Sequence, residues 1–464
     1  MAERASPLIV GAGPAGIRAA ITLVAAGLRP SVIDEAHACG GQIYRQPLAL
    51  DGRDDRARYG SDAAKASRLH RDFAALGTGV DYRPRSLLWN LGDGVADVLR
   101  DGVSQRLSYD GLILATGATD RVLPIPGWTL PGVFTLGGAQ VALKAQGCAI
   151  GRRVVFAGSG PLLYLVAWQY VKAGVDVAAV LDSAPLSAKF NLLRALPLAP
   201  GIVLRGLRMA AELALRGTRV QLGVSGLRID GEGRVARIVY RSASCEHAIA
   251  CDGVGYGLNL RSETQAADLA GCAFRFDPRD RAHLPVRDVS GRSNVAGVYL
   301  AGDGAGIAGA DAAEAAGERA ALALLEDRGL PHDPPRADVL ERALATIDRL
   351  RDALEAAFPF PSHWAAGLAD DALLCRCEDI SAGEARRAIG DFALTEMNRL
   401  KAVTRIGMGR CQGRMCGAAA AELLAAQTRR EVGAVGRLRA QAPIKPIPLA
   451  AGLSVDERQH DPAH

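Results

Sequence analysis

At 464 residues, with 55 basic and 50 acidic side chains and a net charge of +5, the chain is long enough for two or three packed cores. It lacks the basic runs and interleaved aromatics that nucleic acid requires. Its longest apolar stretch, LLYLVAWQYV (162–171), stops at Lys172, well short of the roughly 20 residues that span a bilayer, and the opening MAERASPLIV has no basic-then-apolar leader, so a cytoplasmic protein is expected.

The first element is a short apolar run, Leu8 to Val10, feeding GAGPAG. Gly11, Gly13 and Gly16 hold GxGxxG positions, with Pro14 and Ala15 between them. Such a loop gives a tight turn, a backbone that can approach a pyrophosphate and a helix N-terminus facing its charge. An acid is then needed at the tip of the second strand to hold ribose hydroxyls. The run SVI ends at Asp34, with Glu35 beside it, so a dinucleotide site is predicted here. GGQIYR (40–45) and LILATGATDR (112–121) follow.

A second strand-turn-helix signal, GRRVVFAGSGPLLYLVAWQYVKAG (151–174), keeps Gly158 and Gly160 but has Leu163 where a third glycine would let helix and strand pack closely. Its next strand ends at Asp182, an acid suited to an unphosphorylated ribose. NAD(H) or another adenine nucleotide at this site and a structural relic of one are equally open. The third signal, NVAGVYLAGDGAGIAGADAAEAAG (294–317), sets Gly302 and Asp303 at a strand end before a helix.

These alternations predict an α/β protein with two Rossmann-like dinucleotide-binding domains, the second inserted in the first. The expected spans are 1–145 with 283–330 for the first and 146–282 for the second. A helical linker (331–370) follows, with apolar positions Leu340, Leu344, Ile347, Leu350, Leu354 and Phe358 at helical spacing between the breaks DRGLPHDPPR and FPFPSH. A small helical cysteine module (371–430) and an extended tail (431–464), apt to pack on a neighbour, complete the chain.

Nine cysteines, an odd number, read as reduced thiols plus a metal site rather than a disulfide framework. Cys39, Cys148, Cys245, Cys251 and Cys272 stand singly, so none of them forms a C-x-x-C dithiol. Cys375, Cys377, Cys411 and Cys416 form C-x-C then C-x-x-x-x-C. Four thiolates suit either a tetrahedral zinc or a [2Fe-2S] cluster with two per iron; the C-x-C pair and the glycines around the second pair favour the cluster. Ser381 and Glu384 have capping-box spacing. The eight histidines are dispersed, and no residue is a convincing general base, so the catalytic residues stay unassigned.

The GGQIYR segment with Gly41 and Gln42, the Ala115-Thr116-Gly117 turn and the Gly302-Asp303 pair resemble the flavin-binding segments of two-dinucleotide-domain reductases of the thioredoxin-reductase type. That resemblance implies FAD at the first site, with Asp303 on its ribityl chain. CRCEDI with GMGRCQGRMCG is similar to the bacterioferritin-associated-ferredoxin type of [2Fe-2S] module. Together they make the chain resemble the alpha subunits of opine oxidases, dye-linked proline and D-hydroxyproline dehydrogenases, and the B subunit of hydrogen cyanide synthase. The resemblance implies an FAD- and [2Fe-2S]-containing electron relay in a heteromeric enzyme. An amino-acid-oxidase-like flavoprotein beta subunit would oxidise the C–N bond of an amino acid, imino acid or opine, with a small ferredoxin-like third subunit, a quinone or dye as acceptor, and contact with the inner membrane through partners. Two rivals are a stand-alone NAD(P)H-dependent reductase feeding its own cluster and a non-catalytic zinc-bearing assembly subunit.

Overall fold

The computed structural model describes residues 6–48, 52–243, 245–361 and 363–453; residues 1–5 of the first domain, Ser362 of the FPFPSH break and the tail beyond 453 lie outside them. Leu8, Ile9 and Val10, β-branched or aliphatic and buried, form the central strand Ser6–Val10 of a seven-stranded sheet. Its parallel part runs Asp81–Arg83, Ser31–Ile33, Ser6–Val10, Val103–Leu114, with Val298–Leu300 added beyond. An apolar run without alternation is what a parallel strand covered on both faces requires. The long strand Val103–Leu114 serves two purposes: its first half pairs antiparallel with Val95–Arg100, and its second half pairs parallel with the central strand.

The second domain is a five-stranded parallel sheet in the order Arg219–Leu222, Asp176–Asp182, Arg153–Ser159, Gly253–Leu258, Val133–Thr135, with a three-stranded antiparallel sheet (Ser225–Asp230, Arg237–Ser242, Cys245–Ala250) attached. The chain crosses between domains at Ala118–Asp120 and returns at Leu260–Ser262, and those two segments pair antiparallel. Boundaries expected near 145 and 283 therefore move. Val133–Thr135 and the helix Leu136–Ala145 belong to the second domain because that strand extends its sheet. No sequence period separates a crossing strand from a sheet strand.

The helix Ala310–Asp327 packs on Pro14–Ala25 so closely that a Cβ at Gly317 would lie 2.0 Å from the Ala15 carbonyl oxygen. The linker helix Pro334–Ala357 starts where DPPR placed it, Asp333 accepting from Arg336 N at 2.9 Å with proline in the first turn. It buries Leu340, Leu350 and Phe358. The cysteine module is a hairpin (Leu373–Cys375, Ile380–Ser381) and three helices, Ala382–Asp391, Met397–Thr404 and Gly417–Thr428. The capping box forms: Glu384 N donates to Ser381 Oγ and Ser381 N to Glu384 Oε2. Its apolar core is continuous with that of the second domain, and Trp128 Nε1 donates to Leu373 O at 2.7 Å.

The described part of the tail, residues 431–453, packs on its own chain. Arg437 grips Asp268 through both guanidinium nitrogens at 2.6 and 2.7 Å, Ile444 N donates to Trp89 O, and Lys445 pairs with Glu35. Intramolecular salt bridges between residues so far apart leave no sequence signal.

Gly317→Ala should lower stability by about 1–3 kcal/mol, because the added methyl must push two packed helices apart; the urea midpoint measures it, and an unchanged midpoint refutes the close packing. Lys144, buried beside the loop after Asp34, donates to Ile43 O at 3.1 Å, and burial lowers its pKa to about 8 against the opposing charge of Asp62. The folded state then binds fewer protons than the unfolded one between about pH 8 and the ordinary lysine value of about 10.4, so stability rises with pH across that window. Lys144→Met should flatten that part of the Tm–pH curve.

Candidate functional site

Four loops that are distant in sequence meet at the carboxyl ends of the first sheet. Gly11, at φ +104°, has room for no side chain: a Cβ there would sit 2.3 Å from Ala115 O, in the Ala115-Thr116-Gly117 turn. A Cβ at Gly41 would lie 2.9 Å from Gly13 Cα; one at Gly302, 3.0 Å from Ala15 Cβ; one at Gly304, 2.5 Å from Thr116 Oγ1. The sequence-predicted residues of the first site are thus brought together, lined by backbone as a pyrophosphate requires.

Two acids stand beside this cradle. Asp34 accepts from Ala12 N at 2.6 Å and from Ala36 N at 2.7 Å. Burial raises its pKa, while those amides and the charges of Arg45 and Lys445 pull the other way. Glu35 is half-exposed and paired with Lys445. Asp303 Oδ1 accepts from Ala308 N and Gly309 N at 2.8 and 3.0 Å, which holds the loop ahead of the helix Ala310–Asp327; burial raises its pKa as well. Gln42 accepts from Arg45. Backbone exposed at these glycines, with the carboxylates of Asp34 and Asp303 beside it, fits a dinucleotide such as FAD.

The second glycine loop makes the same close backbone approaches and departs from the first at its third position and its acid. A Cβ at Gly158 would sit 1.7 Å from Gly257 O, and one at Gly160 2.1 Å from Asn259 Oδ1, so these glycines serve strand and loop packing. Leu163 is wholly buried. Asp182, 0% exposed, spends one oxygen on Ala184 N (2.9 Å) and the other on Tyr164 OH (2.7 Å) and Lys189 Nζ (2.7 Å). Phe358 of the linker lies under Lys189 Nζ, 3.4 Å from the ring centre, and edge-on to Tyr164. Asn191 Nδ2 donates to Ala356 O. The carboxylate expected to face a ribose is closed into a packed network with the linker.

At the other end of the chain the four cysteines converge. Cys416, buried at the start of the helix Gly417–Thr428, makes thiol contacts with Cys375 and Cys411, and Cys411 with Cys377. Among the described residues no group of three or more His, Cys, Asp or Glu is spaced as the ligands of one ion; the sulfurs form a chain of pairwise contacts. The Cys416 thiol, then the amides of Glu378, Cys377 and Gly407, lower Cys375 to about 6 against its burial. Cys411 is lowered, again chiefly by Cys416, with the Cys377 thiol and the amides of Met415 and Gly413 helping against its burial. Cys416 is pushed up by its contacts with the Cys375 and Cys411 thiols and by its burial. Four sulfurs with amides turned toward them fit a [2Fe-2S] cluster, whose sulfides such a nest would receive. Close packing again demands glycine: a Cβ at Gly409 would lie 2.3 Å from Cys377 Cβ.

Sequence reasoning missed what joins the two sites. Arg414, between the second pair of cysteines, holds Glu263 through two nitrogens at 2.7 and 3.1 Å, and Gln265 Nε2 donates to Gln412 O at 2.7 Å. Arg261 is partly buried beside Glu263, Arg414, Cys411 and Cys416. The position of Arg414 inside GRCQGRMC was the one available signal.

The model of the pyridine nucleotide-disulphide oxidoreductase family matches residues 6–317, and that of the BFD-like [2Fe-2S] binding domain matches residues 373–426. The chain is 38% identical to the A subunit of an opine oxidase from Rhizobium meliloti, over 96% of this chain and 86% of that one. It is 35% identical to the HcnB subunit of hydrogen cyanide synthase from Pseudomonas protegens, over 98% and 99%. The solved L-proline dehydrogenase of P. horikoshii superposes with a TM-score of 0.73 at 20% identity, covering 96% of this chain and 79% of that one, a likeness of fold.

Replacing any one of Cys375, Cys377, Cys411 or Cys416 by serine should remove most iron and acid-labile sulfide while the purified chain keeps its flavin. Metal and sulfide analysis beside the visible spectrum checks this, and full iron retention in two of the four variants would contradict the ligand set.

Proposed function

This chain belongs to the pyridine nucleotide-disulphide oxidoreductase family and carries a BFD-like [2Fe-2S] binding domain, and on that premise we propose that it is the electron-transfer subunit of a heteromeric enzyme oxidising the C–N bond of an amino acid, imino acid or opine. When bound, FAD supplies a two-electron store that can be emptied one electron at a time, and the cluster supplies a one-electron relay. The chain's own residues hold those groups. Gly11, Gly13, Gly16 and Asp34 take the adenosine and pyrophosphate half, Gly302 and Asp303 the ribityl end, and Cys375, Cys377, Cys411 and Cys416 the cluster.

The observation that carries this reading is that the dinucleotide cradle and the thiol group are bound to each other through Glu263 and Arg414, while the other cysteines stand singly. Electrons collected in the cradle have a neighbouring exit and no dithiol beside them. An amino-acid-oxidase-like beta subunit is the proposed site of substrate oxidation. A quinone or dye is the proposed acceptor, and a further proposed partner is a small ferredoxin-like protein. Leu186, Phe190, Leu193, Leu204 and Leu207 lie exposed on the excursion between the strands Asp176–Asp182 and Arg219–Leu222, a concentration of apolar surface that supports a partner subunit. Among the described residues no helix is long and apolar enough to cross a membrane.

The stand-alone NAD(P)H-dependent reductase is the less favoured reading, because Asp182 already has three partners and Phe358 packs over its neighbours. Anaerobic NADH added to the isolated chain should leave the flavin oxidised, and bleaching should follow only when substrate and the beta subunit are present. Rapid bleaching by NADH alone would reverse the preference. Zinc without acid-labile sulfide would point instead to the assembly role.

A further inference from the structure

We infer that Glu263 and Arg414 are positioning residues that set the cluster-bearing loop at its working distance from the flavin cradle; this rests on the electron-transfer reading above. Glu263 is fixed to the cradle by its backbone: its N–H donates to Gly117 O at 2.9 Å and its carbonyl accepts from Thr116 Oγ1 at 2.6 Å. Its carboxylate then takes Arg414 in a two-nitrogen grip, with both side chains nearly buried (10% and 13% exposed). The remaining guanidinium nitrogen of Arg414 donates to Ile444 O at 2.7 Å and to the carbonyl of the ligand Cys411 at 3.4 Å. Arg261 Nη1 donates to Arg414 O at 3.2 Å.

The path from the Thr116 hydroxyl to Cys411 thus runs through one residue on each side. A buried bidentate pair fixes direction as well as separation, and lysine cannot reproduce it. Such a pair contributes little net stability but is costly to break on one side, because an uncompensated charge stays behind. Its value lies in geometry. With both groups bound, each passage would move one electron from the reduced flavin to the oxidised cluster, at a rate that falls with the separation this pair of residues sets. Two passages per substrate discharge the pair of electrons, the cluster being reoxidised each time by the quinone or dye acceptor.

The experiment uses the full chain loaded with both cofactors, in wild type, Glu263→Gln, Arg414→Gln and Arg414→Lys. Flavin is photoreduced anaerobically and cluster reduction is followed by absorbance and by electron paramagnetic resonance; cluster midpoint potential is measured separately. The expected result is unchanged flavin and iron content with cluster reduction slowed several-fold in both Gln variants, partly recovered in Arg414→Lys. Amide hydrogen exchange across 409–417 should quicken in the Gln variants even before cofactor loading. Unchanged transfer rates in loaded Gln variants would overturn the inference, as would a slowing fully explained by a shifted midpoint potential with exchange unaltered. If a Gln variant fails to fold, Gln265→Ala, which removes only the adjoining contact to Gln412 O, should show the same slowing in smaller measure, and no slowing there overturns it. A wild-type chain without iron would instead sink the electron-transfer reading itself.

Discussion

The two short crossings between domains, Ala118–Asp120 and Leu260–Ser262, pair antiparallel, and the remaining geometry follows from that register. The outgoing strand begins directly after the Ala115-Thr116-Gly117 turn, and the returning strand ends directly before Glu263. Pairing them forces Glu263 against the turn, where its backbone satisfies Thr116 and Gly117. A single residue's carboxylate is left facing outward from the flavin cradle, and the cysteine module is built to receive it.

The module is fastened by charge. Arg414 with Glu263, Arg281 with Glu422 and Arg437 with Asp268 each use two guanidinium nitrogens, at 2.6 to 3.1 Å. Each joins residues more than a hundred positions apart, across the seam between the flavoprotein domains and the C-terminal segment. Planar guanidinium forks fix orientation in a way an ammonium cannot. A seam of partly buried ion pairs therefore specifies one docking geometry, while the apolar core shared with the second domain supplies the burial. Tail and module are locked together as well: Arg414 reaches Ile444 O, and Ile444 N is bonded to Trp89 O in the first domain.

The second glycine loop illustrates how a motif can survive while its site is rebuilt. Leu163 fills the space of the third glycine, and the acid at the strand tip turns inward to Tyr164 and Lys189. Burial raises the pKa of Tyr164, and a neutral hydroxyl is the donor the Asp182 carboxylate needs. Phe358 completes the arrangement, so the linker helix is tied to this domain as firmly as to the first.

Local pattern made much of this legible. The first glycine loop, the capped linker helix, the Ser381–Glu384 box and the four cluster cysteines each depend on residues close in sequence, where turn geometry, capping and ligand spacing operate within a few positions. The inserted domain could be recognised from three repeated strand-turn-helix signals, but its limits could not, because whether a short apolar strand crosses or extends a sheet depends on which strand it meets. The inward turn of Asp182 was hidden because Phe358, far along the chain, decides it. Glu263 and Arg414 were hidden for the same reason: neither lies in a periodic pattern, and a salt bridge acquires meaning only when folding brings its halves to one seam. Residue types and short spacings settle which groups this chain suits; that the two sites adjoin through Glu263 and Arg414 emerges on folding, because the contact joins residues 151 positions apart.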